Sequence, residues 1–488
     1  MPTTSQLMIG AIVFPFAGSL LLSLIPERSD KTRNPFAVLI AAVTALIVVL
    51  LLKEVLAGRM PYVSLVTMVP GLEIAFRLDP LAALFSTLAA VLWIFAVIYS
   101  TGYMAHEHNR RRYFIFFILS LGATMGIAFS ANLFTLYLFY EFLTIFTYPL
   151  VIHEGNEEAQ AAGVRYIIYS FVGAAFILAA LVITYSTAGL LDFIPGGVVR
   201  VASDTAMLWQ IVFLCFIMGF GVKAAIMPLH SWLPSAMAAP TPVSALLHAV
   251  AVVKSGVFGI LRVMYSIYGT ESLRSLDLGL FILVLVSITI IAGSIVALRQ
   301  DVLKRRLAYS TISQLSYITL GAGLLSYMGL TGSLLHMINH ALLKITLFFC
   351  AGAIITVTGK RRISELAGLG KRMPLTMLAF TVGSIGMVGI LPVNGFISKW
   401  RLVMGSLESG YYLVILILIG SALLNAAYFF PIIINAFFKK GEFVSVQGPE
   451  APVSMLLPIV VLALVCLVFG IGLNLYLPFV ESVVSYLF

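Results

Sequence analysis

GVKAAIMPLHSWLPSAMAAPTPVSALLHAVAVVKSGVFGILR, residues 221 to 262, is the stretch that decides what fold this chain can adopt. It is apolar enough to lie in a membrane, yet it holds Pro228, Pro234, Pro240 and Pro242 together with Lys223 and Lys254. A proline inside a helix removes a backbone donor and its ring blocks the carbonyl one turn back. The span is therefore predicted to break at Pro228, with Pro234 as a further interruption. Broken spans are tolerated where protein buries them or where they line a wet cavity, and their free helix ends interact with ions. Lys223 stands just before the break.

The rest of the chain fits that setting. Of 488 residues, 61% are hydrophobic and 10% charged, and the mean hydropathy is +1.07, which leaves too little polar surface to cover a soluble globule. An apolar stretch of about 20 residues spans the hydrocarbon as a helix, and the sequence offers about fourteen. They include 207 to 227, 242 to 266, 307 to 325, 329 to 357, 374 to 398 and 454 to 480. A transmembrane β-barrel is excluded, because segments such as 281 to 298 are continuously apolar instead of alternating. The first apolar run, near Leu7, follows no basic residue and reads as a retained helix, not a signal peptide. One all-α membrane domain, 1 to 488, is expected.

The formal charge of +9 comes from basic residues that flank spans, so nucleic-acid binding is excluded as its explanation. Lys and Arg are more than twice as frequent in the loops facing the first connection as on the side of the termini. The clusters Arg110 to Arg112, Lys304 to Arg306 and Lys360 to Arg362 anchor that side. The positive-inside rule makes it cytoplasmic, with both termini outside. Cys215, Cys350 and Cys466 each lie alone in an apolar span, without the spacing that would hold zinc or an iron–sulfur cluster. No metal or cofactor is expected.

Charges inside the spans carry the functional question: Glu141, Lys223, Lys254, Lys344 and Lys399. A charged side chain at the bilayer centre costs about 2.5 to 3.5 kcal/mol, so four unpaired lysines would oppose insertion by about 10 to 14 kcal/mol. Ion pairing, trapped water or loss of the proton offsets such a cost, and each is also what a proton path needs. Glu141 is expected to partner Lys223. His336, His340 and Lys344 follow at i, i+4 and i+8 and so share one helix face, spaced for a relay through water. His248 and Lys254, six apart, fall on roughly opposite faces. A second break is predicted in GILPVNGFISKW, residues 389 to 400, at Pro392, Asn394 and Gly395, with Lys399 just beyond. Two proline-interrupted spans, each beside a lysine, suggest a repeated architecture.

VKAAIMPLHSWLPSAMAAPTPVSALLHAVAVVKSGVF, LKRRLAYSTISQLSYI and HALLKITLFF resemble the antiporter-like membrane subunits of respiratory complex I, of Mrp-type cation/proton antiporters and of membrane-bound hydrogenases, over nearly the whole chain. The resemblance implies fourteen helices in two inverted five-helix repeats, about 112 to 270 and 271 to 438, with spans seven and twelve broken. It implies that Glu141 is the acid of span five, Lys223 the base of span seven, Lys254 and Lys344 central bases and Lys399 the terminal base. Lys399 places the chain with the lysine-bearing members, the Mrp D type first among them, as does the expected end soon after span fourteen.

The expected function is proton translocation along Glu141, Lys223, Lys254, His340 with His336 and His248 nearby, Lys344 and Lys399, in company with other membrane subunits; whether sodium also moves is open. Redox chemistry would belong to partner subunits. The rivals are a proton-pumping subunit of a complex I-like or hydrogenase-linked assembly, a solitary solute transporter with a substrate cavity, a structural subunit, and a quinone site in an apolar cavity open to lipid.

Overall fold

The protein, seen in a computed structural model, is described for residues 3–441 and 450–488. Its first third comprises α1 (Thr4–Ser23), α2 (Asp30–Leu56), β1 (Tyr62–Val69), β2 (Leu72–Arg77), α3 (Pro80–Tyr103), α4 (Arg110–Phe129) and α5 (Leu133–Val151). Then come α6 (Glu157–Ala188), α7 (Ala206–Lys223), α8 (Trp232–Ser235), α9 (Thr241–Ala249), α10 (Val252–Arg262), α11 (Gly269–Ser275) and α12 (Leu278–Arg299). The remainder is α13 (Leu303–Gly323), α14 (Tyr327–Thr358), α15 (Leu369–Arg372), α16 (Pro374–Val388), α17 (Gly395–Glu408), α18 (Tyr412–Phe438), α19 (Val453–Ile471) and α20 (Leu477–Leu487).

Among the described residues, twelve helices are long and apolar enough to cross a membrane, counting the α9–α11 run as one. The chain is a multi-pass membrane protein. Its solvent logic is inverted. Leu413, Leu416 and Leu423 on α18, and Val164, Ile168 and Phe171 on α6, are more than half exposed, as suits faces against lipid. Every residue from Thr241 to Gly269 is buried, and α13, rich in Ser and Thr, is almost wholly buried. The core is where the polar side chains are.

Both predicted breaks are present. α7 ends at Lys223, Ala225 takes φ +56°, and Met227–Pro228 is cis. α16 ends at Val388, Leu391–Pro392 is cis, and α17 starts at Gly395. Pro234 is a correction: it lies buried inside α8, within a helical turn, and interrupts nothing. A proline is accepted there because the first turn of a helix has no intrahelical acceptor for its amides. The segment 242 to 266 is also less regular than expected. It is irregular at Val250 and Ala251, between His248 and Lys254, and π-helical over Val263–Tyr268. The last span, 454 to 480, divides between α19 and α20 around Gly472, Asn474 and Pro478.

The all-α expectation needs one amendment, the antiparallel hairpin β1–β2. Pro70 presets φ at its turn and Gly71 supplies φ +80°, so two residues suffice to reverse the chain. The hairpin is tied to the body by hydrogen bonds from Ala75 N to Thr135 Oγ1 (3.0 Å), from Asn132 Nδ2 to the Glu73 carbonyl (3.0 Å) and from Arg77 to the Phe193 carbonyl (2.8 Å). Below it lies a buried ion pair that span reading did not find. Arg262 on α10 donates to Asp79 at 2.6 and 2.9 Å, between the rings of Phe193 and Phe258. Asp79 also accepts from Ala82 N at 2.8 Å and caps α3. The bidentate geometry locks α3 to α10.

At the opposite face, α4 and α5 are clasped by two histidines. The ring Nε2 of His108 donates to the His153 carbonyl at 3.0 Å and that of His153 to the His108 carbonyl at 3.1 Å. The His153 ring is buried, and desolvation, with Arg112 and His108 beside it, lowers its pKa from 6.5 to about 4.

Breaking a buried pair on one side strands a charge, so Arg262→Ala is expected to destabilise the protein by about 3–5 kcal/mol. In thermal unfolding in detergent, the double variant Asp79→Leu with Arg262→Met should recover most of that loss. For His153, the unfolded chain takes up a proton below pH 6.5 while the folded protein resists until about 4, so stability falls as pH drops through that window, by roughly 3 kcal/mol. His153→Gln should flatten this part of the stability profile.

Candidate functional site

The ionisable residues read from the sequence gather in the protein's interior. Lys223, Lys254, His248, His336, His340 and Lys344 are each at most 1% exposed and Lys399 is 8% exposed. Glu141, half-buried, is the exception. Each side chain is positioned by a different element, and the partners differ from those expected.

Lys223 ends α7, where its Nζ donates to the Tyr140 carbonyl at 2.6 Å and sits 3.3 Å from the centre of the Tyr140 ring. Cation–π contact and a carbonyl thus hold the ammonium. The expected ion pair with Glu141 is not formed as a contact: no carboxylate pairs directly with Lys223 among the described residues. The reason is angular. Neighbouring residues on a helix point about 100° apart, so with Tyr140 buried against Phe220, Glu141 leaves α5 toward the periphery. The two charges remain in electrostatic reach of each other, and Glu141 Oε1 is buried without a hydrogen bond.

Lys254 is brought beside this end of the row by Gly256. A Cβ there would come within 2.8 Å of the Lys223 carbonyl carbon and 2.9 Å of the Phe220 oxygen, so only glycine lets α10 lie against the end of α7. The Lys254 Nζ then meets His340 Nδ1 at 3.0 Å. One proton between two basic nitrogens can pass along this bond without movement of either residue.

α14 is unbroken from Tyr327 to Thr358, and its three titratable groups keep the one-face spacing expected of them. They reach three different neighbours: His340 the lysine of α10, Lys344 the Leu307 carbonyl of α13 at 3.0 Å, and His336 the hydroxyl of Ser398 on α17 at 2.9 Å. The His336 and His340 ring centres are 6.0 Å apart. His248 packs on Phe348, with both ring nitrogens unbonded, within electrostatic reach of Lys344. The irregular turn at Val250 and Ala251 separates it from Lys254, so the two histidines serve different lysines.

Lys399 closes the row. Its Nζ donates to the Met387 and Val388 carbonyls, at 2.7 and 2.9 Å, which are the last of α16, and it lies 5.2 Å from the Tyr317 ring centre. The negative end of a helix dipole stabilises a cation, and the break at Pro392 is what exposes it. Gly395 permits the return: a Cβ at that position would overlap the Gly386 carbonyl.

Sequence reading missed Tyr140, Ser398, Gln314 and Tyr317. The last two stand three apart in STISQLSYI, and polar residues at that interval in a buried helix were the available signal. Two openings are lined by neighbouring residues of the same helices, and none of the row's own side chains lines either. A polar cavity of about 310 Å³ beside the basic clusters is lined by Glu154, Glu158, Lys304, Arg361 and Thr241. An apolar groove of about 380 Å³ between α3, α14 and α19 is lined by Leu88, Ile338, Leu342 and Phe469. No group of three or more metal-binding side chains is found among the described residues.

A multi-pass protein with a buried chain of bases and broken helices beside two of its lysines has the features of an ion translocator. Residues 130–424 match the family described as NADH:quinone oxidoreductase/Mrp antiporter, TM, and residues 68–114 the N-terminus of chain 5 of NADH-ubiquinone oxidoreductase (complex I). The chain is 33% identical to NADH-quinone oxidoreductase subunit N of Desulforudis audaxviator, over 96% of each. A chain of the membrane-bound sulfane sulfur reductase, an archaeal respiratory membrane complex, superposes with a TM-score of 0.90 at 26% identity, covering 98% of this chain and 97% of that one. A chain of the Mrp complex from a Dietzia species shares the fold, with a TM-score of 0.88 at 21% identity, covering 100% of this chain and 98% of that one. The protein belongs to the complex I/Mrp antiporter family of proton-translocating membrane subunits.

The tight return at Gly395 gives the site a sensitive point. Gly395→Ala is expected to push α17 from α16, to cost about 1 to 3 kcal/mol as overpacking does, and to separate Lys399 from its carbonyls. Ion transport by the reconstituted assembly should fall with it, whereas Gly420→Ala, where a Cβ meets nothing within 4 Å, should change neither.

Proposed function

We propose that this chain is the proton-carrying, Mrp D-like member of an antiporter built from several membrane subunits, and that protons move along Glu141, Lys223, Lys254, His340 and Lys344, then through His336 to Lys399. The observation that carries this reading is the 3.0 Å bond between Lys254 and His340: two buried bases on separate helices are placed to share a proton. Carbonyls and aromatic faces make Lys223, Lys344 and Lys399 tolerable when charged, and His340 does so for Lys254, without the permanent carboxylate partner that would trap a proton. Glu141 then acts on Lys223 through the field, and its charge tunes the first base from a distance. His248 and the polar cavity at Glu154 and Lys304 serve as the uptake side for Lys344.

The proposed architecture has fourteen crossings, with α13 and the α16–α17 pair added to the twelve apolar helices. It forms two inverted five-helix repeats, about 112 to 270 and 271 to 438, each containing one proline break and one lysine beside it. The face holding Arg110 to Arg112, Lys304 to Arg306 and Lys360 to Arg362 is cytoplasmic by the positive-inside rule, in a cytoplasmic membrane with both termini outside. The partners are other membrane subunits, since the similar proteins carry subunit names or come from membrane complexes. A second reading, a proton-pumping subunit of a complex I-like assembly, is favoured by the end-to-end match to a subunit N.

The test is pH-gradient formation by the complete assembly in liposomes. Lys223→Ala is expected to abolish it and Glu141→Ala to slow it at least tenfold, with subunit content unchanged; normal pumping by both variants would refute the row. Co-purification of small antiporter subunits, or of quinone-reducing subunits, separates the two assemblies.

A further inference from the structure

α13 contributes a polar group to the row that no role has yet been given. Three contacts fix how it lies against α14: Leu307 accepts from Lys344 at 3.0 Å, the Tyr317 ring stacks on His336 at 5.2 Å, and the Ile318 carbonyl accepts from Ser333 at 2.6 Å. The two helices are antiparallel, so this register sets Gln314 level with the turn between His336 and His340. Gln314 shares its face of α13 with Leu307, Tyr317 and Gly321, the side that meets α14 and α17.

Several buried atoms without a protein partner lie at about that level. Gln314 is fully buried, and neither its Oε1 nor its Nε2 has a protein partner. His336 Nε2 and His340 Nε2 are buried and unbonded as well, while the Nδ1 atom of each ring is engaged, by Ser398 and by Lys254. A buried polar atom left unsatisfied costs about 1–3 kcal/mol, and sites with several such atoms hold ordered water that makes about three hydrogen bonds. The two rings are 6.0 Å apart between centres, too far for a direct ring-to-ring proton transfer.

We propose that Gln314 is a positioning residue of the row, whose amide orders buried water between His340 Nε2 and His336 Nε2 and so joins the Lys254–His340 pair to the Ser398 and Lys399 end. An amide suits this place because it offers a donor and an acceptor together and does not itself titrate. Water received from one histidine side is oriented toward the other, and the proton passes through the water, never onto the amide. Tyr317 fixes the far ring by stacking on it and faces the Lys399 ammonium from the same helix. The inference rests on the proton row proposed above.

The experiment uses the complete assembly in liposomes, with Gln314→Leu, Gln314→Met and Gln314→Glu compared against Lys254→Ala. Leu and Met remove both hydrogen-bonding atoms at similar volume and should each lower proton transport at least tenfold with normal subunit content. Glu keeps two polar atoms and should restore at least a third of the rate, with a new inflection in the pH profile from the added carboxyl. A merely structural role would give no such rescue or inflection. If Leu does not assemble, the Met variant decides alone. Wild-type transport by the assembled apolar variants would overturn the proposal while leaving the row standing, provided Lys254→Ala is inactive; wild-type transport by Lys254→Ala would remove the row itself. Ordered density between the two Nε2 atoms in a high-resolution map of the assembly is the second expected result, and dry packing there would overturn the proposal equally.

Discussion

Backbone carbonyl oxygens hold three of the buried ammonium groups of the row, and a histidine holds the fourth, Lys254. Lys399 takes the last two of α16, Lys344 takes one from α13 and Lys223 one from α5. In a core without bulk water every polar group must find an internal partner. A backbone carbonyl meets that need without adding a formal charge, so the lysine it holds can lose its proton and regain it. A carboxylate at the same distance would favour one state by several kcal/mol. The proline breaks, the inverted placing of polar residues and the enclosure of α9 and α10 all follow from this arrangement.

A carboxylate that is itself buried and paired at close range with a buried base shows the contrast. Asp79 and Arg262 are bidentate, stacked between aromatic rings and buried, and their charges are fixed. They fasten α3 to α10 and leave the lysine of that same helix, Lys254, free to respond to His340. Structural charge and mobile charge share α10, two turns apart, and are distinguished by whether an acid is in contact.

The sequence carried the spans, both breaks and the buried bases because each is a local signal: apolar length, a proline within it, a charge where none is cheap. It could not carry partners. Glu141 and Lys223 were joined on charge alone, and the fold keeps them in electrostatic reach but out of contact, because the Tyr140 carbonyl and ring take the ammonium. Pro234 looked like the other prolines, yet a short helical turn accommodates it. The hairpin β1–β2 went unread because its strands are half apolar and its Pro-Gly turn lies between two spans, where a loop was sufficient explanation. Gln314 and Tyr317 were visible as letters but had no meaning until the packing of α13 on α14 set their level.

Spacing and charge cost are controlled by different helices. α14 stays unbroken, which keeps His336, His340 and Lys344 four residues, about 6 Å, apart along its axis; the breaks fall after α7 and α16. At about 6 Å and an effective dielectric constant near 20, one added charge shifts a neighbour's energy by roughly 3 kcal/mol, or about a hundredfold in occupancy. A kink in α14 would lengthen these intervals and weaken that coupling, whereas the break after α16 creates the carbonyl end that Lys399 needs. The unbroken helix therefore sets the spacing of the row, and its neighbours supply the carbonyls that hold Lys223, Lys344 and Lys399.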